Sequence, residues 1–241
     1  MRKKKIGAIA MKTCALLVVL GLAHPVMAKD ATPPDSHMAP IAQYFMDRTA
    51  EIALARSAAP ESIARDAEVM VLGHHGFKTA VQGKNGFVCI VARSWTAAPD
   101  AEFGNPKVRV PMCLNAPAAR SYLLRIARIT DLALAGRTLA QVNETIASAL
   151  ARKELPPMES GAMCYMTSKE GYGGDSVPHW PSHLMFFYSQ IDPAILGANL
   201  PGSPVSAVDD PLEQLTSFVI TTPRWSDGTA ALPAPRPHVH P

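Results

Sequence analysis

"EVMVLGHHGFKTAVQGKNGFVCIVARSW", residues 68–95, is the stretch on which the fold turns. It holds three short β-prone runs, "EVMVL", "FKTAVQ" and "FVCIVARSW", with glycine-bounded turns at Gly73–Gly76 and Gly83–Gly86. Asn85-Gly86 tolerates the positive φ angles of a tight hairpin. The stretch therefore reads as a meander in which neighbours pair in chain order. "NPKVRVPMCLN" (105–115) adds a fourth strand through the alternation of Val108, Val110 and Met112, and Pro111 pushes that strand to a sheet edge.

Helical patterns flank this β-rich centre. Upstream, Ile41, Tyr44, Phe45, Ile52 and Ala55 form one apolar stripe that ends at "SAAP" (57–60), with Asp35 or Ser36 as its cap. "PESIARDA" (60–67) opens a second short helix with Pro60 at a first-turn position and Glu61 against the helix dipole. Downstream, one helix spans about 117–135, capped by Asn115 and stopped at Gly136. Thr138-x-x-Gln141 is a capping box for another, striped by Leu139, Val142, Ile146 and Leu150. The short link predicts a helical hairpin lying on the sheet.

"AMCYMT" (162–167), "HLMFFYS" (183–189) and "TSFVITTPRW" (216–225) supply the last strands, between loops "KEGYGGDSVPHWP" (169–181) and "GANLPGSPVSAVDDP" (197–211). The expectation is one α+β domain over 41–228. Its antiparallel sheet of about six strands is covered on one face by the helical hairpin and the N-terminal helix.

Both ends of the chain read differently. Residues 1–28 carry five basic residues (Arg2, Lys3, Lys4, Lys5, Lys12), a short apolar run from Cys14 to Ala23 and a Val26-x-Ala28 cleavage pattern. That is a signal peptide, and its apolar run is about half the length a membrane span needs. Removing it turns 23 basic against 20 acidic residues into 18 against 20, a balance of −2. The body is therefore expected to be periplasmic or secreted, with no stable membrane span after cleavage. It has no basic, aromatic-interleaved patch for nucleic acid. Residues 29–40 read as a flexible leader, and 229–241, with His238 and His240, as a disordered tail.

Three residue sets could carry chemistry. His74 and His75, in one turn, and His179 and His183, four apart, are metal-ligand types, with Asp175 as a carboxylate and zinc as the ion they suit. Pro181 rules out a helical HExxH arrangement, and loop or strand-end histidines bonded to backbone are the plainer reading. Cys164, followed by His179 or His183 and by Asp192 or Asn199, repeats the order of a thiol hydrolase, although its neighbours Met163 and Tyr165 argue for a buried core cysteine. Tyr172, Trp180 and Trp225 could stack a ligand or simply cover the core margin. Cys89 and Cys113 are either bridged across paired strands or both core residues.

"GFVCIVARSW" (86–95), "NPKVR" (105–109), "LAGRTLAQ" (134–141), "GANLPGSPV" (197–205) and "RWSDGTAA" (224–231) together resemble a group of uncharacterised exported bacterial proteins with no assigned activity. In that group the stretch after the tryptophan resembles "HPHLMF", where this chain has Pro181 and Ser182 before His183. The departure removes one histidine from a multi-histidine site. Since neither catalytic set is complete, the reading favours a non-catalytic exported module that binds a small ligand or an envelope component. The alternative is a metal-dependent or cysteine hydrolase using His179 and His183. The pocket is expected where residues 171–183 approach the Gly73–Gly76 turn.

Overall fold

The computed structural model describes residues 38–97 and 100–231, so the segment expected to be a signal peptide, most of the expected leader and residues 232–241 lie outside it. Eight strands form one open sheet: β1 (Glu68–Gly73), β2 (Gly76–Val81), β3 (Val88–Ala92), β4 (Val110–Leu114), β5 (Met163–Met166), β6 (His183–Ser189), β7 (Val205–Asp210) and β8 (Leu215–Thr221). Their order across the sheet is β2-β1-β3-β4-β5-β6-β8-β7.

The meander expected from residues 68–95 is corrected. β1 and β2 form the hairpin, but β3 pairs with β1 on its other side, in parallel, through Glu68↔Val88 and Val69↔Cys89. All other neighbours are antiparallel. Gly83 makes the crossing. Residues 82–87 pass over the start of β1, held by Lys84 N to the Asp66 carbonyl (2.7 Å) and Glu68 N to the Phe87 carbonyl (2.8 Å). A Cβ on Gly83 would stand 2.2 Å from Glu68 N, a backbone atom with no freedom to yield. Gly83→Ala is therefore expected to lose at least the ~1–3 kcal/mol typical of overpacking, read as a lower urea midpoint. An unchanged midpoint would mean that the crossing does not need the close approach.

Pro111 is also corrected from an edge to an interior strand, since β4 lies between β3 and β5. The ring is accommodated because the β4–β5 ladder contains only Cys113↔Tyr165 and Leu114↔Cys164, and Pro111 lies beyond its end, packed against Gly171. β7 falls in the segment read as a loop. Its "VSAVDD" has no buried residue and gives little apolar signal, as suits an edge strand.

The helices are α1 (Arg48–Arg56), α2 (Glu61–Ala64), α3 (Ser94–Ala97), α4 (Ala116–Arg120), α5 (Tyr122–Leu134) and α6 (Leu139–Ala151). The continuous helix expected from Ile41 is instead a 3-10 turn, Ile41–Tyr44, an extended Phe45 and then α1, whose cap is Asp47 accepting from Ala50 N (3.0 Å). The 117–135 helix is divided at Ser121 (φ −126°, ψ −70°), where the hydroxyl donates to the Pro117 carbonyl. Asn115, Gly136 (φ +74°) and the Thr138/Gln141 capping box act as expected.

Helices cover both faces of the sheet, a correction to the one-face expectation. Successive side chains of β3 alternate: Val88, Ile90 and Ala92 pack with Ala118, Leu123 and Ile126 of α4 and α5, whereas Cys89 and Val91 pack with Ala55 of α1 and Ala64 of α2. α5 and α6 share their own cluster through Ile129, Ala133, Val142, Ile146 and Leu150. The described residues belong to one compact unit, and none of its helices is long and apolar enough to cross a membrane.

Candidate functional site

His74 and His75 form the β1–β2 turn, and His183 opens β6 at the same end of the sheet. Four strand spacings lie between β1 and β6, about 19 Å at the usual inter-strand distance. The two histidine pairs therefore do not share a cavity, and the pocket expected between residues 171–183 and the Gly73–Gly76 turn does not form. His74 packs edge-on to Phe45 (4.5 Å between ring centroids). His183 is buried with Nδ1 on the Pro181 carbonyl (2.7 Å), and burial holds its imidazole below the ordinary value. Among the described residues no three His, Cys, Asp or Glu side chains are grouped to hold a metal.

Cys164 is fully buried in β5, opposite Met185, and burial pushes its thiol up, away from the thiolate a nucleophile needs. Its environment is that of a core residue. Asp192 caps the Pro193–Leu196 turn by accepting from Ala194 N, and Asn199 bonds Ala207, so neither orients a catalytic imidazole.

The aromatic trio is partly assembled. Trp225 stacks on His179 (5.3 Å), which also approaches Trp180 (6.2 Å) and holds Nδ1 near the Gly171 carbonyl (3.2 Å). The Trp180 indole lies flat on the chain at Gly171 and Gly173, where a Cβ would come within 3.0 and 2.7 Å of its ring. It fills a slot the glycines leave and offers no open face for stacking there. Tyr172 bridges to Arg109 through the backbone and donates its hydroxyl to Asp175, which also pairs with Lys107 (3.3 Å).

One concavity lies away from every sequence candidate. A cavity of about 300 Å³ opens between α3, α5 and α6 on one side and β6–β8 on the other, with Trp95, Ile129, Ile146, Met185 and Leu215 on its apolar walls. Local bonds fix those walls. Trp95 Nε1 donates to Thr130 Oγ1 (3.0 Å), and Tyr122, also lining the space, stacks on Phe187 (4.0 Å). Three carboxylates, Asp100, Asp210 and Glu213, line the cavity, and among the described residues no lysine, arginine or histidine does. Exposed Val208 and Leu212 form an apolar rim.

Asp210 and Glu213 are presented by the β7–β8 turn, where Glu213 N donates to Asp210 Oδ1 (3.0 Å). Burial, with Asp210 adding repulsion, pushes the Glu213 carboxyl up to about 7, against the pull of Arg125. The sign is destabilising on the alkaline side: Glu213 keeps its proton in the fold after the unfolded chain has released it, so its contribution is lost as pH rises from about 4.5 through 7. Burial likewise pushes the Tyr122 phenol up, so it stays a neutral hydrogen-bonding group beside the carboxylates.

No protein-family model, curated protein or solved structure matches this chain. The functional reading therefore rests on the cavity and its chemistry.

Proposed function

We propose that this is an exported, non-catalytic binding protein, periplasmic or secreted, of the uncharacterised group its motifs resemble. Its ligand is a small amphipathic amine held in the cavity beneath α5 and α6. The observation that carries the reading is three carboxylates, Asp100, Asp210 and Glu213, around an apolar space with no cationic side chain among its described lining residues. An ammonium group would meet those acids while its hydrocarbon body displaced water from Ile129, Ile146 and Met185. Trp95 and Tyr122 add aromatic surface suited to a cation. Export is supported by the basic–apolar–small order of residues 1–28 and by the Cys89–Cys113 bridge, which belongs to an oxidising compartment.

The test is calorimetric titration of the mature protein with 2-phenylethylamine and with 2-phenylethanol as the uncharged control. The amine stays protonated between pH 6 and 8, whereas Glu213 ionises across that range. Amine affinity is expected to rise from pH 6 to pH 8 by up to about tenfold, following the ionised fraction of Glu213, and Glu213→Gln to flatten the profile. Equal binding of the alcohol, or a pH-independent amine affinity, would remove the reading.

A further inference from the structure

Behind the Glu213–Gln214 turn lies a second cavity, of about 440 Å³, whose chemistry is opposite in sign. Leu150, Leu155, Pro156 and Pro157 make its apolar wall, and Arg125 and Lys153 are its charged lining residues. Arg125 projects from α5 and is only 1% exposed. Its Nη1 donates to the Glu213 carbonyl, while its Nε is buried with no hydrogen-bond partner. Among the described residues no carboxylate lies within ion-pair distance of it. Glu213 and Asp210 act on it only from farther away, and the Tyr122 hydroxyl is the other titratable group nearby.

A buried guanidinium with one of its N–H groups engaged among the described residues carries a desolvation cost that the Glu213 carbonyl and the more distant Glu213 and Asp210 carboxylates offset only in part. Ion pairs elsewhere on this surface are made: Arg120 with Glu159, and Arg152 with Glu154. Lys153, two residues past the end of α6 and in a left-handed conformation (φ +58°), pairs with no described acid and stands at the same cavity.

We propose that this cavity binds a small organic monocarboxylate, its carboxylate on the Arg125 guanidinium and on Lys153, and its short hydrocarbon body against Leu150, Leu155, Pro156 and Pro157. The planar fork of arginine matches a carboxylate edge, and the apolar wall suits an acyl chain better than a fully hydrated mineral anion. The site does not rest on the amine cavity, with which it shares no described lining residue.

Calorimetric titration of the mature protein at pH 7.5 with hexanoate, hexanamide and inorganic phosphate tests the assignment. Hexanoate is expected to bind about tenfold or more tightly than hexanamide, since hydrogen bonds to charged groups exceed neutral ones by that margin. Lys153→Gln should weaken hexanoate about two- to fivefold, and Arg125→Met should abolish its advantage over the amide. Should Arg125→Met fail to fold, the amide comparison and Lys153→Gln decide. Equal binding of acid and amide, no hexanoate binding at millimolar concentration, or hexanoate affinity untouched by Lys153→Gln would overturn the proposal. Tighter binding of phosphate than of hexanoate would overturn it too, by assigning the site to mineral anions.

Discussion

Glu51→Leu is expected to destabilise the protein by about 3–5 kcal/mol, the range for breaking a buried ion pair on one side. Glu51 and Arg93 are 1% and 0% exposed, and Arg93 Nη2 donates to Glu51 Oε1 at 2.8 Å. The same carboxylate oxygen accepts from Leu72 N in β1 (3.1 Å). Arg93 also donates through Nε to the Tyr44 carbonyl (2.8 Å) and through Nη1 to the Val91 carbonyl. Four segments therefore converge on one pair: the Ile41–Tyr44 turn, α1, β1 and the end of β3. Removing Glu51 leaves a guanidinium without counter-charge and a backbone N–H without acceptor. Burial already pushes Arg93 down, with Glu51 as the opposing influence, so its loss makes the charged form costlier still.

Urea denaturation distinguishes this from simple lost packing. In the double variant Glu51→Leu with Arg93→Met the charge is gone, and an apolar pair of similar bulk replaces it. That variant is expected to be more stable than Glu51→Leu alone, although the Tyr44 and Val91 carbonyls lose a donor at about 1 kcal/mol or more each. A double variant no more stable than the single would show that the unpaired guanidinium is not the source of the loss.

This pair also marks the limit of what the sequence discloses. Helix ends were legible because caps are local: Asn115, Gly136 and the Thr138/Gln141 box act within four residues of themselves. The β1–β2 hairpin and the apolar strands were legible for the same reason. The parallel β1–β3 pairing was not, because "GKNG" has the chemistry of a tight hairpin, and only the approach of Gly83 to the Glu68 backbone reveals a crossing. Nothing local in the sequence singles out Glu51, Arg93 and Arg125, since buried charges are rare and their partners lie 42 and 88 residues away. The histidine-bearing loops drew attention by composition, yet sheet order separates them. The carboxylate cavity gathers Asp100, Asp210 and Glu213 from two distant segments, and no spacing rule connects them.

Cys89 and Cys113, the pair the sequence left open, are bridged between directly opposed positions on β3 and β4. The bridge closes a loop with a sequence separation of 24, for which the chain-entropy relation gives about 3.5 kcal/mol of stabilisation. That loop contains α3 and Asp100, and so one carboxylate and the Trp95 wall of the proposed amine cavity. Cys89→Ala with Cys113→Ala is expected to lower stability by about that amount, and the reduced wild type to match the double variant. The urea midpoint with and without reductant measures both. Alkylation supplies an independent check, because Cys164 is free but buried. Of Cys89, Cys113 and Cys164, none should label in the folded oxidised protein and only Cys164 after unfolding without reductant, as peptide mapping would resolve. Labelling of Cys89 or Cys113 without reductant, in protein isolated from the culture medium or periplasm, would remove both the bridge and the support it lends to export.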